Sequence, residues 1–104
     1  MELHYKTGNV KFKLSQFLSG CHIKNPIFNG IQIDRSANVR VTNCLINEDA
    51  NGIGMLASVA LSGTCQGTVI RDNSVGHGKN GDIANHATGA VVEANVSIDA
   101  IQQP

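Results

Sequence analysis

Along most of its 104 residues the sequence repeats a short apolar segment, an asparagine and a second short apolar segment. The asparagines of these units are spaced by 18, 30 and 22 residues and are Asn25, Asn43, Asn73 and Asn95. An Asn-Gly pair follows each of the first three, at Asn29, Asn51 and Asn80. Asparagine and glycine adopt left-handed backbone angles more readily than other residues, so each marks a bend between extended segments. The pattern predicts an all-β chain of short strands and corners.

Two all-β arrangements are compatible with such a pattern. An Asn-Gly pair usually marks a hairpin, so an antiparallel meander is the first alternative. Hairpins would give evenly paired strands that flank two-residue loops, whereas here units of about 20 residues recur. A solenoid of stacked parallel strands explains the repeat better, because equivalent asparagines can then hydrogen-bond along a column. The uneven spacings then correspond to corner loops of different length.

Alternation within the apolar segments predicts which side chains face the core. The residues expected to point inward are Ile31, Ile33, Val39, Val41, Ala57, Val59 and Leu61. Those expected to point outward are Gln32, Arg40, Thr42, Ser58 and Ala60. One aliphatic column is expected to hold Ile23, Val41, Val69 or Ile70, and Val91 or Val92.

Charge and cysteine content exclude several classes of protein. Eight basic and eight acidic residues give a net charge of zero, which is not the electrostatic pattern of a nucleic-acid binder. No apolar run approaches the roughly 18 residues that a membrane span needs, so we expect no membrane insertion. Three cysteines without a Cys-x-x-Cys pair predict free, buried thiols in a chain assembled in a reducing compartment, rather than a disulfide framework or zinc cluster.

The order strand, asparagine, strand, Asn-Gly, strand over about residues 16 to 99 resembles the single-stranded right-handed parallel β-helix of the pectate-lyase type. It looks most like the rungs of bacteriophage tailspikes. We therefore expect a short parallel β-helix of about four rungs over residues 16–104, preceded by an N-terminal strand or cap over residues 1–15. Such helices usually have more rungs, so the chain is interpreted as a fragment of a longer protein. The resemblance implies a homotrimer that attaches to bacterial surface polysaccharide and often cleaves it. It also implies a place in the virion tail, assembled in the host cytoplasm, or otherwise an extracellular one.

Cleavage of a polysaccharide by hydrolysis usually needs two carboxylates. The candidates are Asp72, Asp82 and Glu93. Asp72 and Glu93 lie just before Asn73 and Asn95, so stacking would bring them within one rung of each other. The alternative is that all three are ordinary solvated charges, since no complete catalytic motif is present.

Glycan contacts are expected from polar loops. His77 and Lys79 lie on the glycine-rich segment that ends at Asp82, and Glu48 and Asp49 lie on an earlier loop. The His, Lys and Asp of the glycine-rich segment suit an acidic sugar or an acid–base pair, although charged turns are also common as plain solvated connections. The spacings typical of metal ligands or of nucleotide cofactors are missing, so neither a metal nor a cofactor is expected. A single tyrosine and no tryptophan argue against a complete saccharide cleft within one protomer and leave a groove between protomers as an alternative.

Three functions follow from these observations. The first is a rigid, trimeric module that binds bacterial surface polysaccharide. The second is a depolymerase, either a glycosidase or a lyase, that uses carboxylates on stacked rungs or between protomers. The third is a non-catalytic folding and trimerisation module or adhesin.

Overall fold

The computed structural model describes residues 2–4, 10–12, 17–26, 28–48 and 54–98. Within these ranges the chain forms thirteen strands and no helix. They are β1 (Glu2–His4), β2 (Val10–Phe12), β3 (Phe17–Ser19), β4 (His22–Lys24), β5 (Asn29–Asp34), β6 (Arg40–Thr42), β7 (Leu45–Asn47), β8 (Ala57–Thr64), β9 (Val69–Arg71), β10 (Ser74–Gly76), β11 (Ile83–Thr88), β12 (Val91–Glu93) and β13 (Val96–Ile98). Accordingly, no helix able to cross a membrane occurs in the described ranges.

The strands form three parallel sheets. Sheet 1 contains β1, β4, β7, β10 and β13, sheet 2 contains β2, β5, β8 and β11, and sheet 3 contains β3, β6, β9 and β12. Each strand pairs in parallel with the strand three places along the chain, so the backbone passes through all three sheets before it returns to the first. The result is a β-solenoid of about three turns. The predicted all-β solenoid is confirmed, and the antiparallel meander is wrong.

Successive turns differ in length. Residues at matching positions are separated by 23 positions for Ser19 and Thr42, by 29 for Cys44 and Asn73, and by 22 for Asn73 and Asn95. The longest turn is the one that includes the connection between β7 and β8. Loops at a corner change the length of a turn without changing the strand pairing, because closing a longer loop costs little additional free energy.

The corner between sheets 3 and 1 shows that the predicted equivalence of the four asparagines is wrong. Its first position has a positive φ in every described turn and is occupied by Gly20, Asn43, Asp72 and Ala94. The following position, which we call the corner column, holds Cys21, Cys44, Asn73 and Asn95. Asn25 lies elsewhere, at the end of β4. Asparagine serves both as a left-handed residue and as a hydrogen-bonding side chain, so the pattern alone merged two different positions.

Side-chain amides of the corner column tie consecutive turns together. Asn73 Nδ2 donates to the carbonyl of Val41 at 3.0 Å, and Asn73 Oδ1 accepts from the backbone N–H of Cys44 at 2.9 Å. Asn95 repeats both contacts one turn later, with Nδ2 3.0 Å from the Ile70 carbonyl and Oδ1 3.1 Å from the Asn73 nitrogen. The two amides also bond each other at 3.0 Å, so the predicted asparagine ladder exists over these two turns.

The core consists of aliphatic columns on the inner faces of the sheets. Sheet 1 contributes Ile23, Ile46 and Val75, sheet 3 contributes Leu18, Val41 and Ile70, and sheet 2 contributes Ile31 above Val59 and Ile33 above Leu61. All of these side chains are buried. Each column fills the space between turns as a continuous apolar stack.

The predicted inward residues Ile31, Ile33, Val39, Val41, Ala57, Val59 and Leu61 are all buried. Ser58 was expected to face outward and is instead fully buried, because its hydroxyl turns toward sheet 1 and donates to the carbonyl of Gly76 at 2.7 Å. Ile23 stacks with Ile46 and therefore does not share a column with Val41. Strands β1 and β2 extend sheets 1 and 2. The boundary expected between residues 15 and 16 lies outside the described residues.

Asn73→Ala is expected to lower the free energy of unfolding by about 2–4 kcal/mol, because it removes the amide that bonds the buried Val41 carbonyl and the Cys44 N–H. Urea denaturation measures the change. The exposed Asn80, replaced by alanine in the same way, is the control and should change stability by less than about 0.5 kcal/mol. Equal losses in the two variants would contradict the structural role of the corner column.

Candidate functional site

The last described turn, formed by β11, β12 and β13, differs in chemistry from the turns before it. In sheet 2 the inward position of Leu61 is taken by Asn85, and in sheet 1 that of Val75 is taken by Ser97. Asp82 lies beside Ser58, whose N–H donates to the Asp82 carbonyl at 2.8 Å. Polar side chains therefore occupy positions that are apolar elsewhere in the coil.

Asn85 also lines an open cavity of about 330 Å³ in the last described turn, which we call the end cavity. Its lining residues are Asp82, Ile83, Asn85, Val92, Glu93, Ala94 and Asn95. Ile83 and Val92 pack against the core and provide apolar surface. The carboxylates and amides provide hydrogen-bonding groups around it. A concave apolar surface with a few converging polar groups is the usual form of a small-molecule site.

Asp82 is the most strongly organised polar group of the end cavity. The hydroxyl of Ser97 donates to Oδ2, and the backbone N–H of Ile83 donates to Oδ1 at 2.6 Å. The Ser97 hydrogen bond is the main cause that lowers the pKa of Asp82; partial burial opposes it, and the Ile83 N–H and nearby His77 add to it. The carboxylate is therefore ionised at neutral pH. It is suited to accepting hydrogen bonds and poorly suited to donating a proton.

The two amides of the end cavity are also held in place. Asn85 Oδ1 accepts from the backbone N–H of Ala87 at 3.1 Å. Asn95 is fixed by its bonds to Asn73 and to the Ile70 carbonyl. A ligand would therefore meet amides whose orientation is set before it binds, which reduces the entropy lost on binding.

The predicted carboxylates are divided between the end cavity and the outer surface. Asp82 and Glu93 both line the cavity. Asp72 lies at the corner on the outer surface, where its Oδ2 is 2.9 Å from Nε of Arg71. Nη1 of the same arginine is 3.9 Å from Oε2 of Glu93, so Arg71 links the two carboxylates that were expected to lie within one rung of each other.

The predicted glycan-binding residues do not form one group in the described structure. Glu48 is only 4% exposed, and its Oε2 accepts from the backbone N–H groups of Gly54 and Met55 at 3.1 Å each, which fixes the end of the loop before β8. His77 and Lys79 are exposed on the turn between β10 and β11. This turn packs on the same loop, since the Lys79 N–H donates to the Met55 carbonyl at 3.0 Å. Asp49 lies outside the described residues.

Sequence reasoning missed Asn85, Asn95 and Ser97 as residues of this end of the coil. The sequence does contain a signal for Asn85 and Ser97, because each is polar at a position where the preceding turn has an apolar residue, Leu61 and Val75 respectively. It became readable only once the register between turns was known.

No group of three or more His, Cys, Asp or Glu side chains placed to hold a metal ion occurs in the part of the chain that the structure describes. The polar groups of the end cavity are carboxylates, which accept hydrogen bonds, and amides, which both donate and accept them; such groups bind hydroxyl and amino groups. Comparison with family models, curated proteins and solved structures gives no match to the chain.

The lowered pKa of Asp82 predicts a pH dependence of stability. The carboxylate contributes stability above the pKa of an unfolded aspartate, about 3.9, and this contribution disappears as the pH falls through the lower folded value. Ser97→Ala should move the pKa of Asp82 back toward its ordinary value and reduce the loss of stability in acid. Carboxyl NMR titration and urea unfolding between pH 2 and 6 measure both effects.

Ser74→Ala is the matched control, since Ser74 lies in the outer column of sheet 1 between Leu45 and Val96. This variant should keep the wild-type titration of Asp82. An unchanged Asp82 pKa in Ser97→Ala would show that the Ser97 hydroxyl does not hold the carboxylate.

Proposed function

We propose that this chain is a rigid β-solenoid module that binds bacterial surface polysaccharide, with the end cavity as its saccharide site. The observation that carries the proposal is the lining of the end cavity, where two carboxylates and two amides surround the apolar side chains of Ile83 and Val92. A sugar ring presents hydroxyl groups at its edge and C–H groups on its faces. The end cavity offers acceptors for the first and apolar contact for the second.

Charge narrows the class of sugar. Asp82 and Glu93 both line the end cavity, and Asp82 is ionised at neutral pH. Like charges repel strongly in a partly desolvated site, so an acidic sugar would bind poorly against these groups. We propose a neutral or amino-bearing glycan. This choice replaces the acidic sugar that the sequence suggested from His77 and Lys79.

We further propose that the module belongs to a tailspike-like attachment protein, carried on a virion tail or otherwise outside the cell. The support is the parallel coil with asparagine and glycine at its corners, because these are the features in which the sequence resembles the rungs of tailspikes. A coil of stacked strands is stiff along its axis, as a host-attachment spike requires.

A homotrimer is part of this proposal. The outer column of sheet 3 runs through Phe17, Arg40, Val69 and Val91. Phe17 is 77% exposed and Val91 is 45% exposed, so apolar side chains lie at both ends of one flat face. Packing three such faces around a threefold axis would remove this apolar surface from water.

The trimer predicts a sedimenting mass about three times the 11.0 kDa of one chain at micromolar concentration. Replacing both Phe17 and Val91 with serine should weaken assembly at least about tenfold, because apolar contact between the chains is lost. Val96→Ser is the control, since Val96 is also apolar and exposed but lies on the outer face of sheet 1. A monomeric wild-type chain would contradict the trimer.

Binding to the end cavity predicts that Asp82→Asn weakens affinity for a neutral bacterial polysaccharide by about ten- to a hundredfold, because a hydrogen bond to a charged acceptor is worth about 1.5–3 kcal/mol. Titration calorimetry with a panel of neutral, amino and acidic capsular oligosaccharides measures this. Asp72→Asn is the matched control, since Asp72 pairs with Arg71 on the outer surface and should leave affinity unchanged. Equal effects of the two changes, or tight binding of acidic sugars only, would contradict this site.

A depolymerase is the second candidate, favoured by one observation: two carboxylates, Asp82 and Glu93, line the same cavity. With its lowered pKa, Asp82 would serve as nucleophile or base, and Glu93 is the second carboxylate in the same cavity. New reducing ends in the same incubations, abolished by Asp82→Asn and Glu93→Gln but retained in Asp72→Asn, would establish cleavage. Absence of both binding and cleavage would favour the third function, a folding module without a glycan ligand.

A further inference from the structure

Two cysteines occupy consecutive places in the corner column, away from the end cavity. Cys21 and Cys44 precede the paired residues His22 and Leu45. The Leu45 N–H donates to the Cys21 carbonyl at 2.8 Å, so the two backbones are in direct contact at this point. Both side chains are free thiols that are 2% exposed.

The thiol of Cys44 occupies the place that an amide fills in later turns. Cys44 Sγ lies 3.7 Å from the carbonyl of Leu18. Leu18 precedes Cys21, the corner-column residue of the preceding turn, by three positions. Asn73 Nδ2 makes the matching contact with the Val41 carbonyl one turn later. The side chain of Cys44 is therefore directed along the column toward the turn that contains Cys21.

The spacing of stacked strands suits a covalent link between these residues. Hydrogen-bonded neighbouring strands are about 4.7–4.9 Å apart. Disulfides join residues whose Cα atoms are about 4.4–6.8 Å apart. We propose that Cys21 and Cys44 form a reversible disulfide that joins one turn of the solenoid to the next when the chain meets a low-molecular-weight disulfide.

The reaction is a thiol–disulfide exchange with an oxidant such as oxidised glutathione. One protein thiol loses its proton, attacks a sulfur of the oxidant and releases one glutathione thiolate. The second protein thiol, also deprotonated, attacks the protein-bound sulfur of this mixed disulfide and releases the other glutathione. The protein loses two electrons and two protons, and the oxidant is reduced to two thiols.

Burial controls the rate of this exchange. Burial is the main cause that raises the pKa of the Cys44 thiol, and the thiolate is the reacting form. Exchange is therefore expected to be slow in the closed coil and to accelerate when this part of the coil opens locally or when the pH rises.

Cys65 provides an internal control. It is also a buried free thiol, but it lies at the corner after β8, with Sγ 3.4 Å from the Ser62 carbonyl. A merely general reactivity of buried thiols would modify Cys65 as well, whereas the stacked geometry confines the bridge to the other two.

The test incubates the full chain with oxidised glutathione at mildly alkaline pH, in urea from zero to just below the unfolding transition. Thiols are then counted after denaturation. The wild type should fall from three free thiols to one, and Cys65→Ser from two to none. Peptide mapping should link Cys21 to Cys44, and the oxidised chain should unfold at higher urea than the reduced chain until a dithiol reductant is added.

Cys44→Ser keeps a hydroxyl donor for the Leu18 carbonyl and should retain the fold while forming no internal bridge. Persistence of all three thiols up to the transition would overturn the proposal. So would a bridge that includes Cys65, or the formation of glutathione adducts alone.

Discussion

Backbone hydrogen bonds between successive turns hold this coil together, and they determine which side chains lie above one another. Each strand pairs in register with the strand three places away, so a residue meets its counterpart 20 to 29 positions along the chain. Like side chains then stack: aliphatic residues form the core columns, and amides bond along the corner. A substitution at one position therefore affects mainly the packing and hydrogen bonds of the turn above and the turn below.

This vertical order explains why the last described turn is chemically distinct from the turns before it. Inside the coil, an inward polar side chain such as Ser58 must find a buried partner, which it does in the Gly76 carbonyl. In the last turn, Asp82 and Asn85 line a cavity instead. Stacking of matching positions produces an apolar core where successive turns carry apolar side chains, and polar surface where a turn carries a polar side chain at such a position. The proposed site therefore depends on the fold without needing a separate domain.

Much of the architecture could be predicted from local patterns. Alternation over β5, β6 and β8 correctly identified Ile31, Val41 and Leu61 as core residues, because the side-chain period of a strand is two. The candidate site was predicted only in part. Asp82 and Glu93 were recognised as carboxylates of interest, but their common cavity and the separate position of Asp72 were not visible in the chain. Glu48 looked like a surface ligand, and its burial against the Gly54 and Met55 N–H groups depends on a loop conformation that composition does not encode.

The sequence by itself determined the kind of structure: short strands, asparagine and glycine corners, and an apolar inner face. Only the tertiary structure decided the register, and with it the partners of every corner residue. Asn43 and Asn73 look alike in the sequence, yet one supplies a left-handed backbone and the other a buried amide. The reason is physical. The alternation of apolar and polar side chains is a relation between adjacent residues and can be seen in the sequence. Register instead depends on how well backbone pairs and packed columns twenty or more residues apart fit together, and the loops between them do not fix it because their closure cost varies little with length.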